Sequence, residues 1–81
     1  MTVRVRAFAG LRELLGRADY EVRLSDGAVA DNVWDALAAE FPALAEYRPS
    51  TRIARNGVMI DGAEPLAEGD EIALMPPFGG G

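Results

Sequence analysis

The residues whose types and spacing most directly suggest chemistry are the last six, Pro76-Pro77-Phe78-Gly79-Gly80-Gly81. Taken alone, three terminal glycines more commonly mean fraying or a cloning scar. Their position argues otherwise, because they follow a rigid Pro-Pro that aims the chain away from whatever precedes it. From Pro76 to Gly81 an extended tail reaches roughly 20 Å at about 3.3 Å per residue. A Gly-Gly end has no Cβ, so it can thread a narrow channel and present its carboxylate to another protein's active site. The reactive group would then be the carboxyl terminus of Gly81, with Gly80 giving it passage.

The side chains offer little else. The chain contains no Cys and no His, which excludes disulfides, zinc fingers, thiol nucleophiles and imidazole base catalysis. Asp70-Glu71 is a carboxylate pair, but adjacent strand residues face opposite ways, and the pair reads as a solvated turn. The arginines are scattered on outward strand positions and form no phosphate cradle. The triple glycine is no P-loop, since neither Lys-Ser/Thr nor a helix follows it. No metal site and no directly bound cofactor are expected, and the chain alone is not equipped as an enzyme. All eight basic residues are Arg, for which a coding bias toward Arg and Ala is the plainer explanation. Whatever the cause, no lysine is available for a Schiff base or an isopeptide bond.

These groups need a scaffold, and 81 residues with 49% apolar content allow one small core that buries roughly 60–65% of the unfolded surface. A net charge of −5 argues against nucleic acid. No apolar run approaches ~18 residues and the N-terminus lacks a signal h-region, so no membrane partner and a cytoplasmic setting are expected. Residues 2–9 alternate, with Val3, Val5 and Ala7 on one face and Arg4, Arg6 and Phe8 on the other, as in a half-buried strand. Residues 10–16 form a Leu-rich turn or helical stub, and residues 20–24 alternate again as an antiparallel partner of the first strand. From Val29 to Phe41 the period becomes helical, with Val33 and Leu37 on one stripe and Pro42 closing it. Residues 43–50 read as a loop or a short extra helix. Asn56-Gly57 suits a type I′ turn between two short strands. Gly69-Asp70 leads into a last strand, 71–75, that Pro76-Pro77 ends. The order is two strands, a helix and three strands: an α+β, β-grasp arrangement with a mixed four- or five-stranded sheet and one main helix across one face. It occupies residues 1–75, with a flexible tail over 76–81.

Four segments resemble the small subunit of molybdopterin synthase, a ubiquitin-like sulfur carrier. They are FAGLRELLG (8–16), VADNVWDAL (29–37), ARNG (54–57) and above all PLAEGDEIALMPPFGGG (65–81). The resemblance covers nearly the whole chain in order. It departs at Gly79, where the family tolerates various small residues, and at Val29, where its helices often begin with a capping Thr. It implies that an E1-like adenylating enzyme uses ATP to adenylate the Gly81 carboxylate. Sulfur from a donor protein then displaces AMP, giving a thiocarboxylate. That end enters the large synthase subunit, in a heterotetramer, and sulfurates cyclic pyranopterin monophosphate. The resemblance leaves room for sibling carriers, serving thiamine thiazole synthesis or tRNA thiolation, and for a ubiquitin-like modifier. Thiamine carriers usually lack the FAGLRELLG segment.

Alternation sets two further expectations. The core is Val3, Val5, Val22, Leu24, Val33, Leu37, Phe41, Ile53, Val58, Ile60, Ile72 and Leu74. Phe8, Met59 and Met75 face outward, and with Pro76, Pro77, Phe78 and Gly79 they form a partner-docking surface at positions where the family's small subunit meets its large one.

Overall fold

In the first strand, β1 (Thr2–Ala7), Val3, Val5 and Ala7 are buried while Arg4 and Arg6 are exposed, so its alternation selects one core face. A computed structural model describes residues 1–77 of the chain. After β1 come α1 (Ala9–Leu15), β2 (Asp19–Arg23), α2 (Ala30–Glu40), two 3-10 turns (Pro42–Glu46 and Arg48–Ser50), β3 (Arg52–Arg55), β4 (Val58–Ile60) and β5 (Glu71–Met75). Among the described residues the strands form one sheet in the order β2-β1-β5-β3-β4. The central β1–β5 pair is parallel and the other pairs are antiparallel. This is the expected mixed β-grasp sheet, with five strands.

The core lies on one face of this sheet. Leu11 and Leu15 of α1, Val33, Trp34 and Leu37 of α2, and Leu44 of the first 3-10 turn pack on Val3, Val5, Ile53, Ile72 and Leu74. The helical stub is thus a full structural partner of α2, ended by Gly16 in the left-handed conformation at φ 82°. The first strand stops at Ala7, two residues earlier than its pattern suggests, because Ala9 turns the chain at φ 51°.

The start of α2 compensates for its missing capping hydroxyl. Val29 has no side-chain acceptor, yet the N–H groups of Ala30 and Asp31 donate to the carbonyls of Glu64 and Gly62, both at 2.9 Å. Asn32 reaches back to accept the Val29 N–H at 2.8 Å. The orphan donors of the first turn are satisfied by the β4–β5 loop.

Four core expectations change. Val58 is 65% exposed. Its pairing with Arg55 puts it on the core face, but on an edge strand beyond the reach of α2. Leu24, Phe41 and Ile60 are only half-buried against the core. Phe41 lies just beyond α2, edge-on to Tyr20 with ring centroids 5.7 Å apart. No helix among the described residues is long and apolar enough to cross a membrane.

Candidate functional site

The second face of the sheet carries no helix, and strand register decides what it presents. One row across it runs Asp19, Arg6, Ala73, Ala54 and Met59, from β2 to β4. The next row toward the end of β5 holds Met75 paired with Arg52. Ala7 pairs with Leu74, and Phe8 continues extended at φ −122°, ψ 158°. Phe8 and Met75 therefore leave the sheet at the same end.

Met59 and Met75 are separated by β3 and offset by one row, two strand spacings across and two residues along, or roughly 12 Å. Between them lie the small side chains of Ala73, half-buried, and Ala54, buried, which form an apolar floor. Phe8 is 42% and Met59 49% exposed; Met75 and Pro76 are half-buried and Pro77 is exposed. The outward placement of Phe8, Met59 and Met75 is as the alternation predicts. The strand carrying Met75 runs straight into Pro76-Pro77, so the apolar floor and the root of the tail adjoin. Phe78, Gly79, Gly80 and Gly81 lie outside the described residues.

Two arginines border this floor. Arg6 sits with its guanidinium 5.8 Å from the Phe8 ring centroid and 3.6 Å from Asp19, a loose ion pair in water. Arg52 is exposed beside Met75. A groove of about 490 Å³ between α2 and the β3–β4 hairpin, lined in part by Trp34, Ile53, Met59 and Arg52, opens beside the same patch. No group of three or more Asp or Glu side chains among the described residues is placed to hold a metal.

Asp70 departs from its reading as part of a solvated turn. Its side chain is buried, and its carboxylate accepts from Arg55 Nε at 2.7 Å, Asn56 Nδ2 at 3.0 Å and the Ala67 N–H at 2.8 Å. Burial pushes its pKa up, but the hydrogen bonds from Ala67, Asn56 and Arg55, with the Arg55 charge, outweigh that and leave it below the ordinary 3.8. Asn56 in turn accepts the Glu71 N–H at 2.9 Å. Asp70 therefore clamps the Asn56-Gly57 turn, where both residues have positive φ, to the start of β5. That clamp fixes where Met59 lies relative to the tail. The partners are 14 and 15 residues away in sequence, so only the strand register reveals them.

The chain's relatives fit this geometry. The ThiS family matches residues 5–81. Small archaeal modifier protein 3 of Haloferax volcanii is 34% identical, with 100% of each chain covered. The molybdopterin synthase sulfur carrier subunit of Arabidopsis thaliana is 32% identical over 98% of this chain and 82% of its own length. Among solved structures, SAMP1 of Haloferax volcanii superposes with a TM-score of 0.88 at 32% identity over 100% of both chains. A complex of subunits 1 and 2 of molybdopterin-converting factor from Helicobacter pylori contains a chain that matches at a TM-score of 0.69 and 30% identity, again over 100% of both.

Proposed function

The chain belongs to the ThiS family, and on that premise we propose that it is the sulfur carrier subunit of a molybdopterin synthase. In this reading the Gly81 carboxylate attacks the α-phosphorus of ATP held by an adenylating enzyme, and pyrophosphate leaves. A donor protein's persulfide then attacks the acyl carbon and displaces AMP, and a thiol reductant cleaves the resulting acyl disulfide to leave sulfide-level sulfur on Gly81. A carboxylate is a poor electrophile until adenylated, and the thiocarboxylate so formed is a good sulfur nucleophile. The large synthase subunit supplies the catalytic side chains, and the carried sulfur passes to cyclic pyranopterin monophosphate.

The observation that carries the reading is the continuity of the family match through the tail to residue 81, beyond a strand whose end adjoins an exposed apolar face. The similarity to the Helicobacter pylori complex supports a large-subunit partner, seated on Phe8, Met59 and Met75, with Pro76 and Pro77 as the lead into its active site. The similarity to archaeal modifiers favours a second use of the same tail, attachment to amines of other proteins. Reconstitution separates the two. Conversion of the pterin with the large subunit supports the synthase role, and isopeptide products on added proteins support the modifier role. A chain lacking Gly81 should fail in both, because its carboxylate is withdrawn by about 3.5 Å. Full activity of that shortened chain would overturn the reading.

A further inference from the structure

The Asn56-Gly57 turn between β3 and β4 is held by side-chain contacts that a tight hairpin turn does not itself require. Asn56 Nδ2 donates to Asp70 Oδ1 at 3.0 Å, and Asn56 Oδ1 accepts the Glu71 N–H at 2.9 Å. The Asn56 backbone N–H donates to the Glu71 carbonyl at 2.8 Å. Both heteroatoms of the side-chain amide are thus committed to the start of β5. The chain contains two asparagines, Asn32 and Asn56, and no glutamine, and of the two only Asn56 precedes a glycine. An Asn-Gly step is a reactive setting for asparagine, because a residue without Cβ lets its amide nitrogen approach the preceding side chain. On losing its proton, the Gly57 nitrogen can attack Asn56 Cγ. The new C–N bond closes a five-membered succinimide, the Cγ–Nδ2 bond breaks and ammonia leaves. Water then opens the ring to aspartate or to isoaspartate, whose backbone carries an extra methylene.

We propose that Asn56 is a latent deamidation site and that Asp70 holds it closed. Ring closure brings Cγ to bonding distance of the Gly57 nitrogen, so the side chain must first let go of both partners on β5. The oxyanion that develops on Oδ1 would also form beside the Asp70 carboxylate, which is ionised at neutral pH and disfavours a second negative charge. Once made, the product keeps the turn open. A carboxylate at position 56 would face Asp70 across the 3.0 Å that a hydrogen bond now bridges, and like charges there repel. The hairpin that carries Met59 on β4 would then lose its tie to β5 irreversibly. This chemistry belongs to the turn and does not depend on the sulfur-carrier reading.

The test incubates the full-length chain at mildly alkaline pH, well below its melting temperature. Exchange of NH2 for OH is followed by intact-protein mass spectrometry, and fragmentation assigns the position. The same chain unfolded in guanidinium chloride sets the unguarded rate. The folded parent should react roughly tenfold or more slowly, since charge-assisted hydrogen bonds keep the turn closed in most molecules. Asp70→Asn keeps the shape of the side chain but offers one acceptor oxygen to the donors of Arg55, Asn56 and Ala67. Most of the protection at Asn56 should therefore vanish while circular dichroism stays native. Arg55→Gln removes the Asp70 partner at 2.7 Å and leaves the Asn56 bond, so it should react at nearly the parent rate. If Asp70→Asn fails to fold, the parent against its unfolded chain, with Arg55→Gln, still decides the matter. Asn56→Asp, the product in encoded form, should melt below the parent at neutral pH. Equal rates for folded and unfolded parent, Asp70→Asn as slow as the parent, or Arg55→Gln as fast as the unfolded chain would each overturn the proposal. An unchanged melt for Asn56→Asp would overturn its structural consequence.

Discussion

Truncating Leu37 to Ala tests whether α2 is what holds the sheet together. Leu37 is 3% exposed and belongs to the single core cluster. Leu-to-Ala changes cost about 2–5 kcal/mol, the upper end where the surroundings cannot collapse into the void. Collapse is hindered here, because the first turn of α2 is tied to the β4–β5 loop by two 2.9 Å hydrogen bonds. The expected cost is therefore about 3–5 kcal/mol, out of roughly 4–12 kcal/mol for a domain this size. At about 4–8 °C per kcal/mol the melting temperature should fall by roughly 12–40 °C. Val58→Ala provides the contrast, since a side chain that is 65% exposed should cost under about 1 kcal/mol. Urea melts of both variants with a common slope decide the matter. A Leu37→Ala midpoint within error of the parent, or equal losses for the two variants, would refute the helix-on-sheet account.

Three further outcomes follow from the geometry. Asp70→Asn should cost about 1.5–3 kcal/mol at neutral pH; because the Asp70 pKa is lowered from 3.8, its stabilisation is full above that value and is lost as pH falls through the lowered one. The gap between parent and variant in urea midpoint should therefore narrow on acidification, and a constant gap would contradict the clamp. Gly57→Ala should cost about 1–2 kcal/mol from backbone strain alone, since Gly57 has φ +87° and an added Cβ meets nothing within 4 Å; an unchanged thermal melt would count against the turn. Phe8→Asp with Met59→Asp should weaken binding to the large subunit by more than about 2 kcal/mol while circular dichroism stays native, and undiminished binding by calorimetry would remove the docking patch.

Local pattern made much of this fold legible, and the parts it concealed share a cause. The alternation of Val3, Val5 and Ala7, the helical stripe of Val33 and Leu37, and the Asn56-Gly57 turn are properties of neighbouring residues. Each assigns an element and a face. Alternation does not say whether anything covers that face, which is why Val58 could be grouped with Ile60 and yet stand exposed on the edge. Leu11, Leu15 and Leu44 have ordinary local patterns, and their burial depends on α1 and the first 3-10 turn meeting over the sheet. Asp70 needs partners 14 and 15 residues away. The exposed apolar face was legible at its three large side chains; the Ala54–Ala73 floor and the flanking Arg6 and Arg52 emerge only from the register of four strands.

The most direct test of the central claim is intact-protein mass spectrometry of the full chain after incubation with the adenylating enzyme, ATP and a sulfur donor. The account predicts one oxygen exchanged for sulfur, located on Gly81 by fragmentation, and dependent on ATP. It also predicts no such product from the chain lacking Gly81, whose carboxylate is displaced far beyond the ~0.5 Å tolerance of a catalytic constellation. Sulfur found on any other residue, an unmodified Gly81, or equal sulfuration of the shortened chain would contradict it.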